Sequence, residues 1–308
     1  MGRGKIGEAV DHICLTPIGA ASADAQRLYR RTRRLQQGPL TFSAARCLAE
    51  KVRAGDVVLL ATGAGAPPEL PFGETDGPLG TVILARALHL GLGAHPYVLT
   101  EERNRGPIQA VLEVVGGDYP LLATPCGEEL TRSSLLAEHQ PAALIAVEKL
   151  GPNSKGIIHD MWGQDASQSH TSLRGLFDEA RERGILTLGI GDRGNEIGFG
   201  LLFQDPSRPL LRANRCQCPC LGSIACDVRT DLLVVSSISN WGAYGVVRCL
   251  EALTGRRLLH DPMDEGAMLR AALGAGARDG VTRSSTLTVD GTSFAVQEAV
   301  LALLNAVR

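Results

Sequence analysis

Residues 57–90 read VVLLATGAGAPPELPFGETDGPLGTVILARALHL. An apolar, β-branched run, Val57–Thr62, leads into a Gly- and Pro-rich loop ending in Glu74-Thr75-Asp76-Gly77-Pro78, and a helical apolar pattern follows from Leu79 to Leu90. A strand too apolar to have a wet face, a loop and a covering helix form the repeating unit of a mostly parallel sheet. Working outward, further strands are predicted at Pro96–Thr100, Ala142–Val147, Leu186–Ile190 and Leu232–Ser236. Intervening helices are predicted at Ser43–Ala54, Glu128–Glu138, Leu173–Arg183 and Ala243–Leu253, with terminal helices at Asp24–Leu35 and Ser293–Ala306. The expected fold class is α/β: a doubly wound, mostly parallel sheet with helices on both faces and an active crevice at the carboxyl ends of the strands.

Composition narrows the function. The chain has 308 residues, enough for a sizeable core, and no linker or low-complexity tract divides it, so one domain over residues 1–308 is expected. With 31 Lys+Arg against 33 Asp+Glu, the net charge is -2, which argues against nucleic-acid binding by broad electrostatics. The arginines at Arg27, Arg30, Arg31, Arg33 and Arg34 read as a solvated helix face. No apolar run reaches the ~20 residues of a membrane span, and no apolar leader opens the chain, so a cytoplasmic location without membrane contact is expected.

In open α/β sheets, ligands sit beyond the strand ends. There the sequence places Glu74 and Asp76, then Glu148, then Asp192 and Glu196, and finally Ser239-Asn240-Trp241. Several anions in one partly dry crevice must be protonated, matched by cations or gathered around a metal. Oxygen donors without His or Cys favour a hard cation, magnesium, manganese or calcium, held by Asp76, Glu148, Asp192 and Glu196. The blander reading is helix capping, strongest for Asp76 just ahead of Pro78. Trp241 is read as an apolar pocket wall or as ordinary core.

Other chemistries find less support. Gly189-Ile190-Gly191-Asp192-Arg193-Gly194 matches G-x-G-x-x-G, but Asp192 and Glu196 would repel a pyrophosphate, and no G-x4-G-K-[ST] loop is present, so no nucleotide cofactor is expected. His159 and His170 flank the polar loop after Glu148, where two readings stand: residues lining the crevice and, favoured, exposed loop residues. Cys216, Cys218, Cys220 and Cys226 form C-x-C-x-C-x5-C. Zinc is one reading of that run, but the spacing is unlike the usual C-x2-4-C pairs, and buried reduced thiols are the expectation.

At the same motifs the chain resembles the C-terminal domain family of D-glutamate cyclases. The matching segments are GETDGP from Gly73, VEKLGPNSKG from Val147, GIGDRGNEIGFG from Gly189, IACDV from Ile224, SNWGAYG from Ser239, DGVTR from Asp279 and TVDG from Thr288. The resemblance implies conversion of D-glutamate to 5-oxo-D-proline and water, by a lyase with a manganese-responsive acidic site. Departures are Arg193 where the family usually carries Gly, Lys149 where it carries Arg, and Phe199 where it carries Met. On that reading Glu74 is expected as the proton acceptor, Asp192 as a further catalytic group and Asn240 as an amide donor to the developing oxyanion. Thr75, Gly77, Arg193, Asn195 and Trp241 are expected around an acidic amino-acid substrate, in a monomer or a homo-oligomer. Two alternatives share the same crevice: a metal-dependent hydrolase of a phosphorylated or amide substrate, and a non-enzymatic binding module for an acidic metabolite.

Overall fold

The computed structural model describes residues 3–19, 22–130, 134–203 and 216–308. Helices α1 (Arg3–Cys14), α2 (Ser22–Gln36) and α3 (Leu40–Lys51) precede β1 (Val57–Gly63). Then come α4 (Pro78–Leu92), β2 (His95–Glu101), α5 (Arg105–Val115), β3 (Leu121–Thr124), α6 (Ser134–His139), β4 (Ala143–Lys149), α7 (Arg174–Glu182) and β5 (Leu186–Gly191). The chain closes with α8 (Gly200–Phe203), β6 (Leu232–Val235), α9 (Ser239–Thr254), α10 (Pro262–Gly274), a β7–β8 hairpin (Thr288–Val289, Thr292–Ser293) and α11 (Phe294–Ala306).

Six strands pair in the order β3-β2-β1-β4-β5-β6, every pairing parallel. This is the doubly wound arrangement expected from the sequence, and the direction of winding reverses between β1 and β4. Val58 and Leu60 face a thick layer built on α1, α3, α4, α5, α9, α10 and α11, whereas Leu59 and Ala61 face a thinner one with Leu136 of α6 and Phe177 of α7. Period-two alternation therefore feeds two apolar layers, which is why these strands read as continuous hydrophobic runs. Among the described residues no helix is long and apolar enough to cross a membrane.

The five predicted strands and six of the seven predicted helices are present, with ends shifted by up to four residues. The exception is Glu128–Glu138: Glu129 is bridged to Ser172 in extended conformation, helix begins at Ser134, and residues 131–133 lie outside the described set. Strand β3, helices α1, α5, α8 and α10 and the β7–β8 hairpin have no counterpart in the predicted elements. β3 is a four-residue edge strand with a half-buried pattern, too short for periodicity to register. α5 opens on Arg105-Gly106-Pro107 and α10 on Pro262, so turn-forming residues mask both starts, although Asp261 and Asp264 form a capping box at the second.

Candidate active site

The acids converge at the switch point because of how β1 and β4 end. The pairing shifts register between Thr62 opposite Val147 and Gly63 opposite Lys149, leaving Glu148 as the extra residue. Its φ of +44° lies in the left-handed region, a conformation costing on the order of 1 kcal/mol for a non-glycine residue. Gly77, at φ +98°, passes so close that a Cβ there would lie 2.8 Å from the Cβ of Glu148 and 2.8 Å from Oγ1 of Thr62. Only glycine lets the β1 loop cross the bulge.

Asp76 does not cap α4, whose N-cap is Gly77. Its carboxylate instead accepts from Ser239 N and Asn240 N, each at 2.8 Å, and from Gly77 N at 3.0 Å, joining the β1 loop to the start of α9. Asn240 completes the joint. Its Oδ1 accepts from Gly77 N (3.0 Å) and Gly80 N (2.7 Å), and its Nδ2 donates to Thr75 O (3.0 Å). Thr75 in turn donates through Oγ1 to Thr288 O at 3.0 Å.

Glu196 lies inside its own loop, where its two oxygens accept from Asp192 N (3.2 Å), Arg193 N (2.9 Å) and Gly194 N (2.7 Å). Ser239 Oγ donates to Glu148. Asp192 differs from all of these: it is fully buried, and neither carboxylate oxygen has a hydrogen-bond partner. Single oxygens of Glu148, Asp192 and Glu196 lie within 4.8 Å of one another, as do those of Asp76, Asp192 and Asp290. Asp192 thus belongs to two candidate oxygen-donor sets, and its orphaned oxygens are what a cation ligand looks like without its cation. The donor set fits a hard divalent ion.

Burial and mutual repulsion hold these acids toward their protonated forms. Asp76 is pushed up to about 8 by burial and by Asp290, against three backbone N–H bonds that pull the other way. Burial, then Glu196, Asp76 and Glu74, raise Glu148 well above the carboxylate range. Burial raises Asp192 likewise, partly offset by Arg193. Glu74, at the foot of the pocket, is raised by desolvation and then by Asp290 and Asp76. The one cation among them is Arg193, whose Nη2 donates to Asp290 at 2.8 Å and whose Nε lies 3.5 Å from Asp192. Burial alone would lower the Arg193 pKa, but Asp192 and Asp290 outweigh it and raise it.

Above the acids opens a concave pocket. Glu74, Glu148, Arg193, Asn195 and Asp290 line it, together with Glu69, Asp160 and Arg283. Of the other sequence candidates, Asp76, Asp192, Glu196, Thr75, Gly77 and Asn240 lie beneath this lining. Trp241 is fully buried in the thick layer, its indole N–H donating to Gln297 Oε1 at 2.6 Å, so it is core and not pocket wall. The aromatic wall is Trp162, 47% exposed, with the Arg283 guanidinium 5.3 Å from its ring centroid. Asp290, Arg283 and Trp162 are not singled out by the sequence, although the first two fall within the TVDG and DGVTR motifs; Trp162 sits in a loop without periodicity.

Both loop histidines are buried, contrary to the exposed reading. His170 Nδ1 lies 3.4 Å from Glu101 Oε1, which also accepts from Thr171 N at 2.9 Å and pairs with the fully buried Lys149. Burial alone would raise Glu101, but Lys149 and His170 overcome it and hold it well below the carboxylate range. His159 faces the cysteine run. There Cys216, Cys218 and Cys220 cluster with it, while Cys226 is buried apart, accepting from Val228 N.

The sequence profile of the family described as D-glutamate cyclase-like, C-terminal, matches residues 22–305. A curated relative from Homo sapiens, "D-glutamate cyclase, mitochondrial", is 28% identical over 200 residues, which cover 61% of this chain and 30% of the relative. The chain therefore spans about a third of that protein. The match of 22–305 takes in the β1 loop, the β4 bulge, the Asp192 loop and the start of α9, and so the whole acidic junction. On this ground the chain belongs to the D-glutamate cyclase-like, C-terminal family.

Proposed function

We propose that this chain converts D-glutamate to 5-oxo-D-proline and water. The observation that carries the reading is Asp192, buried with neither oxygen hydrogen-bonded, among Glu148, Glu196, Asp76 and Asp290. A divalent cation held there, manganese by the family resemblance, supplies Lewis-acid polarisation of a substrate carboxylate. Arg193, at the pocket edge, orients a substrate carboxylate by charge-assisted hydrogen bonds. Glu74 accepts a proton from the α-ammonium, and the freed amine forms the C–N bond to the carbon of the side-chain carboxyl group as one C–O bond of that group breaks. The two protons lost from nitrogen leave with the departing oxygen as water, so Glu74 must accept and then return a proton. In its ionised form, a carboxyl raised above its ordinary range by burial binds that proton more strongly than an ordinary carboxylate.

Asn240 enters this proposal as a positioning residue, since its side chain spans Thr75, Gly77 and Gly80. Incubation with D- and L-glutamate, with and without manganese, followed by chiral chromatography of 5-oxoproline, tests the reading. Metal-dependent product from the D form is expected. No product from either enantiomer, with manganese still bound, would overturn it.

A further inference from the structure

A second metal-binding constellation lies outside the acidic junction. Among the described residues, His159 Nε2 and the sulfurs of Cys216, Cys218 and Cys220 all lie within 4.8 Å of one another. The individual separations are Cys216–Cys220 3.2 Å, Cys216–Cys218 3.4 Å, His159–Cys218 3.3 Å and His159–Cys220 3.7 Å. A tetrahedral zinc ion with Zn–S of about 2.3 Å and Zn–N of about 2.05 Å requires edges of roughly 3.8 Å for S···S and 3.6 Å for S···N. These four separations lie within about 0.6 Å of those edges, the largest change being an opening of Cys216–Cys220. His159, Cys216 and Cys218 are buried and Cys220 is half-buried, and none of the cysteines is in a disulfide.

The surroundings are built for a thiolate. Gly222 N lies 3.4 Å and Asn153 Nδ2 3.7 Å from Cys220 Sγ, both as donors. N–H donors to a ligating sulfur are the outer shell such sites carry. The irregular C-x-C-x-C spacing is accommodated by a turn, closed by Cys216 N to Gly222 O at 3.0 Å, that brings all three sulfurs to one side.

We propose that His159, Cys216, Cys218 and Cys220 bind a structural zinc ion. Four protein ligands leave no open position, so the site is closed and not catalytic. Its consequence is local. The ion would clasp the loop after β4 to the segment before β6. His159 O accepts from Asn195 Nδ2 at 3.0 Å, and Asp160, Met161 and Trp162 directly line the pocket. Zinc would therefore fix one wall of the substrate pocket from behind.

The test is elemental analysis of the full chain, purified under reducing conditions without added metal and dialysed against a chelator. About one zinc per chain is expected, and cobalt(II) substitution should give the thiolate charge-transfer and tetrahedral d–d bands of a sulfur-rich site. His159→Cys should keep the metal with an altered cobalt spectrum, whereas His159→Ala should lose it. Well under one zinc per chain, a Cys216–Cys220 disulfide in the purified protein, or loss of zinc from folded His159→Cys would overturn the proposal. None of these readouts depends on glutamate turnover, so a zinc-loaded chain without cyclase activity separates this inference from the proposed function.

Discussion

Asp76 and Asn240 hold one another reciprocally: the Asp76 carboxylate accepts the backbone N–H of Asn240, while the Asn240 amide accepts from Gly77 and Gly80 on either side of the turn that follows Asp76. The joint fixes the β1 loop to the first turn of α9, across the point where the sheet reverses its winding. Asn240→Ala strands the buried Gly80 N, while Gly77 N keeps its bond to Asp76, so a loss of about 1–3 kcal/mol is expected. Urea unfolding checks it, and an unchanged midpoint would show that the joint is not a stability element.

Asp192 and Glu196 are expected to separate binding from stability. Asp192→Asn removes a buried acid without hydrogen-bond partners but also one of the two carboxylates facing Arg193, which keeps Asp290, so the stability of the metal-free protein should change little. The rise in Tm on adding manganese should disappear, together with turnover. Glu196→Ala removes the acceptor of three loop N–H groups and should lower metal-free stability by at least about 2 kcal/mol as well. Thermal unfolding with and without manganese distinguishes the two; retained metal binding and turnover in both variants would sink the assignment.

Metal-induced stabilisation should increase with pH. Asp76 moves from 3.8 to about 8 on folding, so its protonated form contributes stability that is complete below 3.8 and is lost as pH rises through about 8. A bound cation requires the ionised form and must displace that proton. The manganese-dependent gain in Tm is therefore expected to be small near pH 5 and largest above about 8, with proton release in weakly buffered titrations. A gain that falls with pH would contradict the acidic site.

The Glu101–Lys149 pair tests a different part of the junction. Lys149→Met leaves Glu101 buried with only neutral donors and His170, and a loss of about 3–5 kcal/mol is expected. Lys149→Arg keeps the charge and should retain most of the stability. Chemical unfolding of both variants decides between an ion-pair role and simple packing.

Strand ends were legible in the sequence because a strand buried on both faces leaves an uninterrupted apolar run, and its end is marked by the first acidic or glycine-rich residues. Asp76, Glu148, Asp192 and Glu196 could therefore be gathered before any contact was known. Trp241 was ambiguous because a tryptophan beyond a strand fits a pocket wall or a core equally well; packing of α9 between α3 and α4 placed it in the core. His159 looked like a loop residue because its partners are 57 or more positions away along the chain.

The sequence by itself determined the alternation of strand and helix, the two apolar layers and the acids at the strand ends, since each depends on residues close together in the chain. Tertiary structure alone decided which acids keep hydrogen-bond partners and which one, Asp192, is left without. It also brought Asp290 and Arg193 together and assembled three cysteines with His159. Those outcomes depend on distances between segments far apart in sequence, which local patterning does not encode.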